Sequence, residues 1–105
     1  MKTKILVINR DRAILEQVLS MLEENGYQPT GKQKDEQVII ELMHYDYDVF
    51  LIGGDVQMSS REIFKRIIAS SKPGLKIMEQ FGGPENLLSL IQVGQETMET
   101  MQSKE

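Results

Sequence analysis

Two short apolar segments, each running directly into turn residues, constrain the fold more than any other feature of the chain. Lys4 to Ile8 is followed by Asn9-Arg10-Asp11, and Val49 to Ile52 is followed by Gly53-Gly54-Asp55. An apolar run of this length, with a helical pattern behind it, is typical of a parallel strand that is buried on both faces. Open α/β sheets place their functional groups in the loops at the carboxyl ends of such strands.

The following sequence alternates helical and strand patterns, as expected for a parallel sheet with covering helices. Asp11 is placed to cap a first helix and Gly26 to end it. Tyr27 to Gly31 is a weak strand, and because Pro29 cannot donate to a central ladder we predict that it lies at an edge. Asp35 opens a second helix. The positions expected to face the core are Ile14, Leu15, Val18, Leu19 and Leu22 in the first helix and Val38, Ile39, Leu42 and Met43 in the second.

The second half of the chain repeats this alternation. After a third strand at Asp48 to Ile52, Ser59 and Glu62 form a capping box that predicts the start of a third helix. Pro73-Gly74 ends that helix, and Leu75 to Gln80 is a fourth, less apolar strand. The third helix is expected to bury Ile63, Phe64, Ile67 and Ile68. A Gly82-Gly83 turn then leads to a last helix that begins at Pro84 and continues toward Met98 and Met101. This last helix is expected to bury Leu87, Leu88 and Ile91.

Composition limits the classes of function. A chain of 105 residues is predicted to be a single domain, 1–105, with a frayed tail from about residue 98. A net charge of −4 argues against a broad nucleic-acid or anionic-membrane surface. The absence of cysteine excludes thiolate catalysis and disulfides. The basic start is followed by an apolar run too short for a signal peptide, so we expect a cytoplasmic protein.

The two apolar segments and their loops, Lys4 to Asp11 and Val49 to Asp55, closely resemble the first and third strands of the bacterial response-regulator receiver domain. In that family the first strand ends in an acidic pair that holds Mg²⁺, and the third strand ends in the aspartate that accepts phosphate. Here Asn9 and Arg10 replace the acidic pair, and the acceptor position falls on Gly53. The resemblance therefore implies a retained scaffold and a lost reaction.

The resemblance predicts an α/β, receiver-like (flavodoxin-like) three-layer sandwich with a parallel sheet of about four strands in the order 2-1-3-4. The family has five strand-helix units, so one unit is missing. Glu79 to Leu88 is similar to the family's fifth strand and helix, and on that alignment Glu79 replaces the invariant lysine and the fourth unit is absent. A second alignment sets Pro73 to Gly94 against the fourth unit and deletes the fifth. We prefer the first, which places the last helix beside the first helix.

The degenerate active-site positions are Asn9, Arg10, Asp11, Gly53, Asp55 and Glu79. Phosphoryl transfer to a carboxylate needs a metal or fixed cations to offset the negative charge. Mg²⁺ requires several hard oxygen ligands, and Arg10 puts a fixed positive charge where one of them should be. We therefore expect no metal and no cofactor. Either the guanidinium pairs with Asp11 or Asp55, or it points into water.

Two alternative functions use the same loops. Asp55-Val56-Gln57-Met58-Ser59 is similar to the family's Asp-x-x-Met-Pro loop, so Asp55 is the alternative phosphate acceptor; otherwise it is a polar residue that caps the next helix. The paired glycines Gly53-Gly54 and Gly82-Gly83 are the alternative site for a nucleotide or another small anion, although they match no phosphate-binding fingerprint.

The preferred interpretation is a pseudo-receiver that is not an enzyme and that acts by protein-protein contact in, or derived from, two-component signalling. A shortened sheet leaves the fourth strand as an edge, and unpaired edges tend to find partners. We therefore predict a protein partner, with a second copy of the chain as one candidate. The interface is expected to include Leu75, Ile77, Met98 and Met101.

Overall fold

The computed structural model describes residues 2–80, which form a parallel sheet with helices on both faces. The elements are β1 (Lys4–Ile8), α1 (Arg12–Glu24), β2 (Gln28–Lys32), α2 (Asp35–His44), β3 (Val49–Ile52), α3 (Met58–Ser71) and β4 (Lys76–Glu79). The strands pair in the order β2-β1-β3-β4, and every pair is parallel. The predicted α/β class and the order 2-1-3-4 are confirmed.

Alternation along the two central strands produces the three layers. In β1, Leu6 and Ile8 belong to a buried cluster with residues of α2 and α3, whereas Ile5 and Val7 belong to a cluster with residues of α1. β3 divides in the same way, and the ring of its Phe50 meets that of Phe64 edge-on with centroids 5.5 Å apart. Both faces of β1 and β3 are thus buried, as their apolar runs predicted.

The first helix forms as the sequence predicts. The Asp11 side chain accepts a hydrogen bond from the Ile14 backbone N–H at 3.0 Å and so caps α1. Asn25 follows the last turn, and Gly26 has a φ of 86°, a conformation that favours glycine. Leu15, Val18 and Leu22 are the fully buried members of the stripe.

Three details of the other helices differ from the predictions. The capping box of Ser59 and Glu62 is wrong, because α3 already begins at Met58, after Gln57, and Ser59 lies inside its first turn. Met43 is 68% exposed. Since successive helical residues are about 100° apart, a buried face centred on Val38 and Leu42 turns Met43 away from the core. Ile63, 44% exposed, lies outside the face formed by Phe64 and Ile68 in the same way.

The two edges of the sheet differ in what their backbones offer. Gln28 N–H donates to Thr3 O, so the backbone of Gln28 faces β1. Because this direction alternates along a strand, the backbone groups of Pro29 and Gly31 point outward, and proline has no N–H to donate. Along β4 the Gln80 N–H donates to Ile52 O, which leaves the backbone of Ile77 and Glu79 pointing outward. The prediction that the proline-containing strand lies at an edge is confirmed.

Several predictions concern residues outside 2–80. They are the Gly82-Gly83 turn, the last helix and its place beside α1, the frayed tail from about residue 98, the interface positions Met98 and Met101, and the choice between the two alignments of the missing unit. Within 2–80, no helix combines the length and the apolar character needed to span a membrane.

Candidate functional site

The candidate site lies at the carboxyl ends of β1, β3 and β4. Ile8 is in register with Ile52, and Ile52 with Glu79. The next row of the sheet therefore brings Asn9 beside Gly53, and the Gly53 N–H donates to Ile8 O at 2.8 Å. These are the loops where the sequence predicted the degenerate site.

The Asn9 side chain occupies the space directly over Gly53. Asn9 is 3% exposed, and a Cβ built on Gly53 would lie 2.1 Å from Asn9 Nδ2 and 2.5 Å from Asn9 Cγ. Atoms cannot approach that closely, so the asparagine occupies the volume that a side chain at position 53 would need. The glycine is required here by this close approach and not by its backbone angles.

Asp55 is held by the β1–α1 loop. Its Oδ2 accepts hydrogen bonds from the backbone N–H groups of Arg10 and Asp11, each at 2.9 Å, and its Oδ1 lies 3.0 Å from Arg10 N and 3.5 Å from Asn9 Nδ2. The carboxylate therefore stabilises the entry to α1. The expectation that Asp55 caps the next helix is wrong, because its partners lie in the preceding loop and α3 begins after Gln57.

Arg10 uses its backbone and its side chain for different partners. Its guanidinium donates to Asp35 Oδ1 at 2.5 Å, to Gln33 O at 2.8 Å, to Gln57 Oε1 at 3.0 Å and to Ser60 Oγ at 3.1 Å. In return, the Gln33 side-chain amide donates to Arg10 O at 2.9 Å. One arginine thus joins the ends of β1 and β2 to the first turns of α2 and α3.

Both predicted positions of the Arg10 side chain are wrong. The guanidinium neither pairs with Asp11 or Asp55 nor points into water, because Asp35 at the start of α2 offers a carboxylate on the other side of the loop. Asp55 contacts Arg10 through the backbone N–H alone. No spacing in the sequence predicts that Asp35 reaches this loop, since the two residues meet only when β2 folds beside β1.

The Arg10 and Asp35 pair is supported by Ser60. The Ser60 hydroxyl donates to Asp35 Oδ2 at 2.6 Å, so both carboxylate oxygens have partners. Burial raises the pKa of Asp35, but the hydrogen bonds from Ser60 and Arg10 and the guanidinium charge outweigh it and hold the pKa below its usual value. Asp35 is therefore ionised throughout the neutral range.

Arg61 is the residue that sequence reasoning missed. It is 1% exposed, and its guanidinium donates to Val56 O and Gly53 O at 2.8 Å and to Gln80 O at 2.9 Å. It also lies 3.4 Å from Glu79 Oε1. The available signal was its position three residues before Phe64, on the buried face of α3.

Glu79 faces cations where the resemblance implies a lysine in the family. Its Oε2 pairs with Lys65 Nζ at 2.6 Å, and its Oε1 faces Arg61. Burial raises the pKa of Glu79, but the hydrogen bonds and charges of Lys65 and Arg61 outweigh it and lower the pKa. The remaining predicted positions are less central: Gly54 is half-buried, and Leu75 and Ile77 are half-buried against the cluster shared with α2 and α3.

Solved structures of similar shape are receiver domains. The chain aligns with a response regulator from Thermotoga maritima at TM-score 0.62 and 13% identity, covering 88% of this chain and 78% of that one. A response regulator receiver protein from Pseudomonas putida aligns at TM-score 0.62 and 15% identity, covering 90% of this chain and 81% of that one. The Francisella response regulator 1452 receiver domain aligns at TM-score 0.59 and 20% identity, covering 87% of this chain and 77% of that one. These likenesses establish a receiver-like fold, in shortened form. No family model and no curated protein matches the sequence.

The residues at this edge do not fit the Mg²⁺ that receiver domains bind. Within 2–80 no three acidic, histidine or cysteine side chains come together in a group that could hold a metal ion. The two nearest carboxylates face backbone amides, Asp55 those of Arg10 and Asp11, and Asp11 that of Ile14. Mg²⁺ needs near-octahedral oxygen ligands, which this arrangement does not offer.

Proposed function

We propose that this chain is a receiver-like interaction module that does not transfer phosphate and that works by protein-protein contact in, or derived from, two-component signalling. The observation that carries the proposal is the filling of the acceptor position: Asn9 occupies the space over Gly53, where an acceptor side chain would project. The fold of the similar structures supports the signalling context.

Asp55 is less suited to be the phosphate acceptor. An attacking carboxylate oxygen needs a free approach to the phosphorus atom and a cation that offsets the charge of the phosphoryl oxygens. Here the Asp55 carboxylate accepts backbone hydrogen bonds, and the guanidinium of Arg10 pairs with Asp35. Phosphorylation would break these contacts without a cation placed to compensate.

The first prediction is that the protein stays unmodified by a small phosphodonor. We expect acetyl phosphate with Mg²⁺ to leave the intact mass unchanged, and beryllofluoride to leave the backbone amide shifts of Asn9, Gly53 and Asp55 in place. A receiver domain with an intact acidic pair, treated in parallel, controls for the reagents. A phosphoryl adduct that disappears in Asp55→Asn would overturn the proposal and favour the phosphoacceptor alternative.

The proposed contact surface includes the outer edge of β4. Ile77 and Glu79 point their backbone N–H and C=O groups away from β3, as the bond from Gln80 to Ile52 requires. Such groups can pair with a strand of another chain, whereas the outer edge of β2 is interrupted by Pro29. This difference favours β4 as the edge that receives a partner, including a second copy.

The second prediction tests the second copy. We expect sedimentation velocity across a wide concentration range to detect a reversible dimer, and Ile77→Pro to abolish it, because proline removes an outward N–H and leaves the β3–β4 bonds intact. Circular dichroism of the variant checks that it folds. A wild type that stays monomeric at the highest concentration would exclude the homodimer and leave a heterologous partner.

A further inference from the structure

We propose that a cavity at the amino ends of β1 and β2 is a socket for an arginine side chain of a protein partner. The cavity measures about 300 Å³ and lies at the opposite end of the sheet from the degenerate site. The inference deepens the proposed function, because it names the chemistry of a partner for an interaction module. The wall consists of Lys4, Gln28, Thr30, Glu41, Tyr45, Asp46 and Tyr47.

Glu41 supplies an acceptor for a cation. Its Oε1 accepts a hydrogen bond from the Tyr47 hydroxyl, which fixes the carboxylate against the wall. Within residues 2–80, its Oε2 has no hydrogen-bond or ion-pair partner. Burial, and then the Glu41 carboxylate, raise the pKa of Tyr47 to about 12, so the phenol remains a donor at neutral pH and leaves Oε2 as the oxygen available to a ligand.

The position of the cavity favours positive charge. It adjoins the carboxyl end of α2, where the helix dipole is negative. Lys72 already binds there from one side, with Nζ 2.5 Å from Asp46 Oδ1 and 3.5 Å from Tyr45 O. Among the described residues of the cavity wall, Lys4 is the one cation; its backbone N–H donates to Asp48 at 2.8 Å, and the residue is exposed. Lys72 thus already pairs with Asp46, and Glu41 Oε2 is the carboxylate oxygen left for an incoming cation.

Aromatic surface beside the acid favours arginine over a simple ammonium group. Tyr45, which lines the cavity together with Glu41, is 59% exposed. A guanidinium is planar, stacks on aromatic rings and pairs with a carboxylate through two parallel hydrogen bonds.

The test uses the full chain and three short peptides. We expect acetyl-Gly-Arg-Gly-amide at low salt to give saturable shifts of the amide signals of Lys4, Glu41, Tyr45 and Tyr47, and the peptides with norleucine or glutamate in place of arginine to give none. Glu41→Gln, which preserves shape, is expected to weaken binding about tenfold or more. Tyr45→Ala, at an exposed position, is expected to weaken it as well. Glu16→Gln, an exposed acid on α1, is the matched control and should leave binding unchanged.

The socket would be overturned by equal binding of the arginine and norleucine peptides, or by equal binding of the arginine peptide to the wild type and to Glu41→Gln. An absence of saturable shifts with the arginine peptide would overturn it too. These outcomes are separate from the phosphodonor experiment, since a phosphoryl adduct on Asp55 contradicts the proposed function at the other end of the sheet and leaves the peptide result as measured.

Discussion

Replacing Arg61 with alanine is expected to lower the free energy of unfolding by about 3–5 kcal/mol. The substitution leaves the carbonyl groups of Gly53, Val56 and Gln80 without this donor in a buried place, and it removes one cation from Glu79. Urea denaturation followed by circular dichroism measures the change. Arg61→Lys is expected to recover only part of the loss, because an ammonium group cannot reproduce the planar fork that reaches three carbonyls.

Arg12→Ala is the control for removal of an arginine. The Arg12 side chain is 80% exposed and, among residues 2–80, pairs only with Glu16 one turn away, so its loss should change the free energy of unfolding by no more than about 0.5 kcal/mol. A similar small effect for Arg61→Ala would contradict its assignment as the link between the ends of β3 and β4.

Replacing Gly53 with alanine is expected to cost about 1–3 kcal/mol of unfolding free energy. The new Cβ would overlap Asn9, whose amide is buried and within hydrogen-bond reach of Asp55, so the asparagine cannot move aside without losing that contact. Gly74→Ala is the matched control, because a Cβ at position 74 meets nothing within 4 Å, and it should be neutral or slightly stabilising.

A double-mutant cycle separates this clash from other effects of the substitution. Shortening the neighbour with Asn9→Ala should rescue part of the cost of Gly53→Ala, giving a coupling energy of about 0.5–3 kcal/mol. Additive effects of the two changes would mean that the two positions do not compete for one space.

The fold could be predicted because its signals are local. The apolar runs of β1 and β3, the cap at Asp11 and the turn at Gly26 each act within a few residues, and the strand order follows from the resemblance and from right-handed crossovers. The wrong boundary at α3 has a local cause as well. Ser59 and Glu62 satisfy a capping pattern, but the cap of the helix is Gln57, two residues before the predicted one.

The location of the site could be predicted from the sequence, but the contacts of its side chains could not. The strand ends were predicted, yet the partners of Arg10 and Arg61 lie on other elements, and such pairings depend on how the elements pack. The burial of Arg61 was not predicted, because a charged residue among apolar positions is expected to be exposed. Three backbone carbonyls from other parts of the fold converge on its guanidinium and account for its burial.

The unequal edges of the sheet limit how far an assembly can grow. Strand pairing through β4 of one copy and β4 of another uses the same surface twice, which is a closed two-fold arrangement. Continued addition into a filament would need a second open edge, and the outward backbone of β2 contains Pro29, which cannot donate. The edge pairing proposed for β4 would therefore end at two copies, and Pro29 would set that limit.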